Sequence, residues 1–136
     1  SIIFPKRGGA ILTNKKRLTS KSSLVDPNIM AIIPDKKIEI DFFYYFFLTQ
    51  NLSKFVGEEV VPQLNKYDIS PIPFVCPEDR KTQKQIVQNI KSAEQKFQSQ
   101  KVQFENIKQN YENTINHINY IQSSILDAAF SGKLVK

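Results

Sequence analysis

Lys6, Arg7, Gly8 and Gly9, followed by Thr13, Asn14, Lys15, Lys16 and Arg17, are the residues of this chain whose types and spacing suit work on a ligand. Lysine and arginine supply fixed positive charge, and glycine lets backbone N–H groups approach a phosphate closely. Arginine and asparagine also match the hydrogen-bonding edges of guanine and adenine. Lys21 extends the cluster, and no acidic residue precedes Asp26. The formal charge is +6; beyond residue 25 basic and acidic residues balance at 13 each, so the whole excess lies in the first 25 residues. A cluster this one-sided attracts polyanions by Coulomb attraction and counterion release, and nucleic acid is the partner it points to. Lys6, Lys15, Lys16 and Lys21 are assigned to phosphates, and Arg7, Asn14 and Arg17 to groove edges. The competing reading is an ordinary basic hairpin.

Other chemistry finds little support. The single histidine, His117, and the single cysteine, Cys76, make no metal-ligand set. No phosphate-binding loop of the GxxxxGK[ST] type occurs. Glu58 and Glu59 are adjacent, but no second acidic pair stands at a spacing useful for acid–base work. No catalytic residue, metal or cofactor is therefore expected. A lone thiol forms no internal disulfide, which fits a reducing cytoplasm. No secretory signal is visible, and the most apolar stretch, Ile38 to Leu48, is too short for a membrane span and carries Glu39 and Asp41.

The elements that must position the basic segment fall into two textures. Residues 1–77 hold all seven prolines, whereas Glu78 to Ser131 contains neither proline nor glycine. The segment Pro71-Ile72-Pro73-Phe74-Val75-Cys76-Pro77 enforces an extended path and excludes helix until after Pro77. In the first region Ser1 to Phe4 reads as a strand, Gly8-Gly9 as a turn, and Ala10 to Thr13 as a second strand. Ile29 to Pro34 reads as a buried strand. Asp41 to Leu52 reads as a helix capped by Asp41, with its run of six aromatic residues mostly buried. The chain begins directly in the apolar run Ile2-Ile3-Phe4, which suggests a piece of a longer protein.

The second region is periodic. Ile90, Phe97, Phe104, Tyr111, Ile118 and Ile125 recur every seven residues, and Ile86, Ala93, Ile107 and Ile121 occupy the interleaved row, which also holds Gln100, Thr114 and Ala128. This is a heptad seam on a helix of about 50 residues, about 75 Å long at 1.5 Å per residue. One helix cannot bury such a seam, so a partner helix is expected, with Gln100 and Thr114 setting its register. Gly132 stands where a helix C-terminus wants glycine. The fold class expected is α+β: a small mixed domain over 1–77 followed by a long helix over 78–136 that forms an antiparallel coiled coil.

Several strings together resemble the specificity subunits of Type I restriction-modification systems: RGGAILTNKKR at 7–17, DPN at 26–28, VPQLN at 61–65, PIPFVCP at 71–77, Gln83 with Ile86-Val87, and the closing phrase Leu126-Asp127-Ala128-Ala129-Phe130-Ser131-Gly132-Lys133-Leu134. The helix start departs from the family's double-proline phrase. The resemblance implies the C-terminal part of a target-recognition domain followed by a spacer helix, in a subunit without catalytic activity. It further implies recognition of one half of a bipartite DNA target, two antiparallel helices acting as a ruler, and assembly with methyltransferase and restriction subunits. The helix would pair with a second copy of the chain or with the other half of a longer subunit. Fused restriction–methylation enzymes carry a similar recognition part. A reading outside the family is a structural coiled-coil protein whose basic head merely keeps it in solution.

Overall fold

The computed structural model describes residues 1–57 and 60–132. Glu58 and Glu59, the Lys133 and Leu134 of the closing phrase, and the following Val135 and Lys136 lie outside the described residues. The chain forms two units, Ser1–Ile90 and Lys91–Lys136. Composition changes at Pro77, but the first unit reaches Ile90, because Gln83 and Val87 are buried.

In the first unit, strand β1 (Ile2–Pro5) is the centre of a three-stranded antiparallel sheet, between β2 (Arg17–Leu18) and β3 (Ile29–Ile32). Side chains alternate across a strand, so Ile2 and Phe4 point into the core while Ile3 points to the other face. Register carries that division across the sheet: Ile2 pairs with Leu18 and Ile32, and Ile3 pairs with Arg17 and Ala31. Asp26 starts β3, its carboxylate accepting the Asn28 N–H at 2.7 Å. The β3 strand is half-buried rather than buried.

The strand expected over Ala10 to Thr13 is instead a 3-10 turn, Gly9–Thr13. Gly8 (φ 75°, ψ −177°) turns the chain too sharply to continue as a hairpin, and the Ile11 N–H bonds the Gly8 carbonyl at 3.1 Å. The turn aims Ile11 into the core, where it is fully buried. The strand partner of β1 on that side comes later, at Arg17–Leu18.

Helix α1 (Ile40–Thr49) matches the aromatic run, but its N-cap is Glu39, not Asp41, which sits in the first turn. The run is less buried than expected. Phe47 alone is fully enclosed, 5.1 Å from Phe4 between ring centres, and the other five rings are half-buried. The extended proline segment covers part of the run, laying the Phe74 ring against Phe43 (5.0 Å) and Phe46 (4.7 Å). Short helix α2 (Lys66–Ile69) opens with a capping box in which Asn65 and Asp68 satisfy each other's backbone N–H groups. Leu52 and Leu64 close the core.

Helix α3 spans Arg80–Phe130. Asp79 caps it, accepting the Thr82 N–H (2.8 Å), the Thr82 hydroxyl (2.8 Å) and the Lys81 N–H (3.1 Å). These bonds favour the carboxylate and hold its pKa below the usual range. At the other end Gly132 adopts φ 72°, the left-handed conformation expected there. Of the seam, Ile86 and Ile90 are half-buried within the first unit. In the second unit Ala93, Phe97, Phe104, Ile107, Tyr111, Ile118, Ile121 and Ile125 are exposed. At about 100° per residue Ile115 and Leu126 fall on the same stripe as Phe104, at 11-residue intervals, while Thr114 and Ala128 drift toward its edge.

Candidate nucleic-acid interface

The basic segment is built onto the sheet in steps. Lys6 prolongs β1: its N–H donates to the Asn28 carbonyl and its carbonyl accepts the Leu64 N–H, both at 2.8 Å. Arg7 forms a β-bridge with Gln63, and the Gly8 N–H donates to the Pro62 carbonyl at 2.7 Å. The string VPQLN is thus the strand-like splint that fixes Lys6, Arg7 and Gly8. Gly8 adopts a backbone conformation that residues with a side chain avoid, while Gly9 has an ordinary φ. The 3-10 turn follows, tightened by the Thr13 hydroxyl donating to the Ala10 carbonyl at 2.7 Å. Asn14, at φ 53°, then reverses the chain into β2.

The structure separates residues that are neighbours in sequence. Arg7, Lys15, Arg17 and Lys21 are exposed, and Lys6 is half-buried. Among the described residues none of these five forms an ion pair. Thr13, Lys15 and Arg17 line one side of a cleft of about 310 Å³ whose remaining wall is Ile3, Phe4, Pro5, Ala10 and Ile29. Lys21 borders a different depression, with Ser1, Thr19 and Ile33. The cleft therefore gathers Thr13, Lys15 and Arg17 but not Lys6, Arg7 or Lys21.

Lys16 and Asn14 face the other way. Lys16 is 6% exposed. Its ammonium donates to the Gln50 carbonyl (2.6 Å) and to Asn14 Oδ1 (2.9 Å), and lies 5.4 Å from the centre of the Phe47 ring. Gln50 is the C-cap of α1, so a cation rests where the helix leaves an unpaired carbonyl and its dipole is negative. Asn14 Oδ1 also accepts the Leu52 N–H at 2.9 Å. Burial pulls the Lys16 pKa below the ordinary lysine value. The Lys16 ammonium, assigned to phosphate from the sequence, and the Oδ1 of Asn14, assigned to a groove edge, both bind the segment that ends α1.

A surface of exposed arginine and lysine beside an apolar cleft, with no carboxylate in the same stretch of chain, suits a polyanion bearing flat apolar edges. Residues 8–109 match the Type I restriction modification DNA specificity domain. The chain belongs to this family. Its function is accordingly that of a specificity domain, which is DNA recognition. Neither the curated proteins nor the solved structures give a significant match to the chain. Among the described residues no group of three or more histidine, cysteine, aspartate or glutamate side chains is placed to hold a metal ion. No described helix is long and apolar enough to cross a membrane.

One residue of the specificity domain went unassigned by sequence reasoning beyond its part in the helix-opening phrase. Gln83, 1% exposed, has its carboxamide fully engaged: Oε1 accepts the Glu39 N–H at 2.7 Å, and Nε2 donates to the carbonyls of Pro77 (2.7 Å) and Lys37 (3.3 Å). The spacing of Gln83 to Val87 and Ile90 carried the signal, since it places the glutamine on the buried face of α3.

Proposed function

We propose that this specificity domain reads one half of a bipartite DNA target through the exposed segment around β2. Lys6, Lys15 and Lys21 contact phosphates, and Arg7 and Arg17 reach base edges in the major groove. The apolar floor of the cleft, with the Thr13 methyl group, faces a thymine methyl. The observation that carries this reading is the exposure of Arg7, Lys15 and Arg17, without ion pairs among the described residues and in a stretch free of carboxylates, within a chain of the DNA specificity family.

The exposed stripe on α3 from Ala93 to Ile125 pairs in the same reading with an antiparallel helix, supplied by a second copy or by the other half of a longer subunit. The paired helices space two recognition domains along the duplex and present them to methyltransferase and restriction subunits in a reducing cytoplasm. Catalysis belongs to those subunits. The test is binding of the purified protein to random duplex DNA at 50 and 200 mM salt. The affinity is expected to fall steeply, by about 3.5-fold for each phosphate that the protein neutralises. An affinity insensitive to salt, or none at 50 mM, would refute the reading and leave only the pairing of α3.

A further inference from the structure

We infer that Gln83 is a positioning residue: it fixes how α3 leaves the recognition unit, and the half-site spacing the protein accepts depends on it. The inference rests on the bipartite reading above. Its physical ground is independent of DNA and lies within the first unit.

A buried carboxamide is costly unless every polar atom finds a partner, and Gln83 finds three, on two separate segments. Lys37 belongs to the turn before α1, Glu39 is the N-cap of α1, and Pro77 ends the extended segment before α3. Glu39 has no side-chain cap of its own, so Gln83 supplies an acceptor to a backbone N–H at the start of α1. A second tie runs in parallel, since Arg80 Nη2 meets Glu39 Oε2 at 2.6 Å. Val87, one turn beyond Gln83, is 4% exposed and adds apolar contact without direction. Hydrogen bonds are directional and fail within a few tenths of an ångström, whereas apolar contact tolerates sliding. Rotation or sliding of the first turns of α3 breaks the Gln83 bonds before it opens the core. Leverage makes this consequential: a tilt of about 5° at the base of a helix about 75 Å long moves its far end by about 6.5 Å, roughly two base-pair steps.

The experiment uses the full protein assembled with its modification subunits. The target is first mapped from the adenines that become methylated. Methylation is then measured on duplexes whose half-sites stand at the natural gap, one base pair shorter and one longer, and binding is measured on a duplex with a single half-site. Gln83→Met fills the same volume and makes none of the three bonds. Arg80→Met removes only the exposed ion pair and preserves the fold. For Gln83→Met the preference for the natural gap is expected to shrink by about tenfold, the factor that loss of one to two net hydrogen bonds carries. Half-site binding is expected to stay unchanged, and the Glu39 amide to exchange faster with solvent. Arg80→Met is expected to shift the preference in the same direction by less. A Gln83→Met protein that keeps the wild-type gap preference, or loses activity equally at all gaps together with half-site binding, overturns the inference. A wild-type protein indifferent to the gap overturns the bipartite reading itself, a separate outcome.

Discussion

Lys15, Lys16 and Arg17 are consecutive, yet the structure assigns the middle one to the core and the outer two to the solvent face. Alanine substitution at each position must therefore give two kinds of phenotype. A phosphate contact contributes a slope of about −0.9 to log K against log salt. Removing the Lys15 ammonium should thus weaken binding by ~15-fold at 50 mM salt and ~4-fold at 200 mM, with the slope reduced by about one. Arg17→Ala should instead relax discrimination at one base pair, by ~1–3 kcal/mol if the contact is bidentate. Lys16→Ala should leave the salt slope unchanged. It deprives the Gln50 carbonyl of its cation, which costs ~1–3 kcal/mol. In a unit of this size each kcal/mol lowers the melting midpoint by ~4–8 °C. The pH dependence has a definite sign. Burial lowers the Lys16 pKa, so between the folded and unfolded values the unfolded chain holds more protons and stability rises with pH. Lys16→Met should remove that alkaline rise. Fluorescence anisotropy over a salt series, with thermal melts on the same samples, separates the phenotypes. A Lys16→Ala protein with a reduced salt slope and an unchanged melt would refute the division of the three residues.

Three further outcomes follow from local geometry. Gly8→Ala should destabilise by ~1–3 kcal/mol in urea titration even though open space surrounds its Cα, because φ 75° with ψ −177° is strained for any side chain; Gly9→Ala should be close to neutral. The depressed Asp79 pKa stabilises the start of α3 at pH values above the unfolded carboxylate value, and that contribution is lost as pH falls through the folded value. Lower protection of the Lys81 and Thr82 amides in acid, measured against their intrinsic exchange rates and absent as a pH effect in Asp79→Ala, is the expected sign. Phe104→Lys should raise the dissociation constant for helix pairing by ~100-fold, the value of one large buried ring. Val102→Lys, on the opposite side of α3 and equally exposed (60% against 65%), should leave the mass measured by sedimentation unchanged.

Much of this architecture was legible in the sequence. The strands at Ile2 and Ile29, the aromatic helix, the extended proline segment and the long helix each follow a local signal: apolar runs, a run of aromatic rings, imino acids, a period. The misplaced strand at Ala10 was not legible, because Ile11 and Leu12 fit a strand by composition, while the turn that displaces it depends on Gly8 finding the Pro62 carbonyl some fifty residues away. The inward course of Lys16 and Asn14 was hidden for the same reason, since their partners lie on the far end of α1. Gln83 was half-visible: its face of the helix could be read, but its three acceptor and donor partners come from tertiary contact. The site thus follows local rules where it is exposed and long-range pairing where it is anchored.

The alternation of the sheet has a consequence for how recognition can change. Ile2, Leu18 and Ile32 share the inner row, while Ile3, Arg17 and Ala31 form the outward one, so in the proposed reading Arg17 can be exchanged with no atom of the core displaced. Insertion or deletion of one residue between Asn14 and Arg17 is a different event. It would carry Lys16 out to solvent, drive its neighbour against Phe47, and reverse the facing of the strand that follows. In the proposed reading, new target preferences between β1 and β2 are thus open to point substitution and closed to length change, and variation in length falls to the Thr19–Pro27 connection and to residues beyond the sheet.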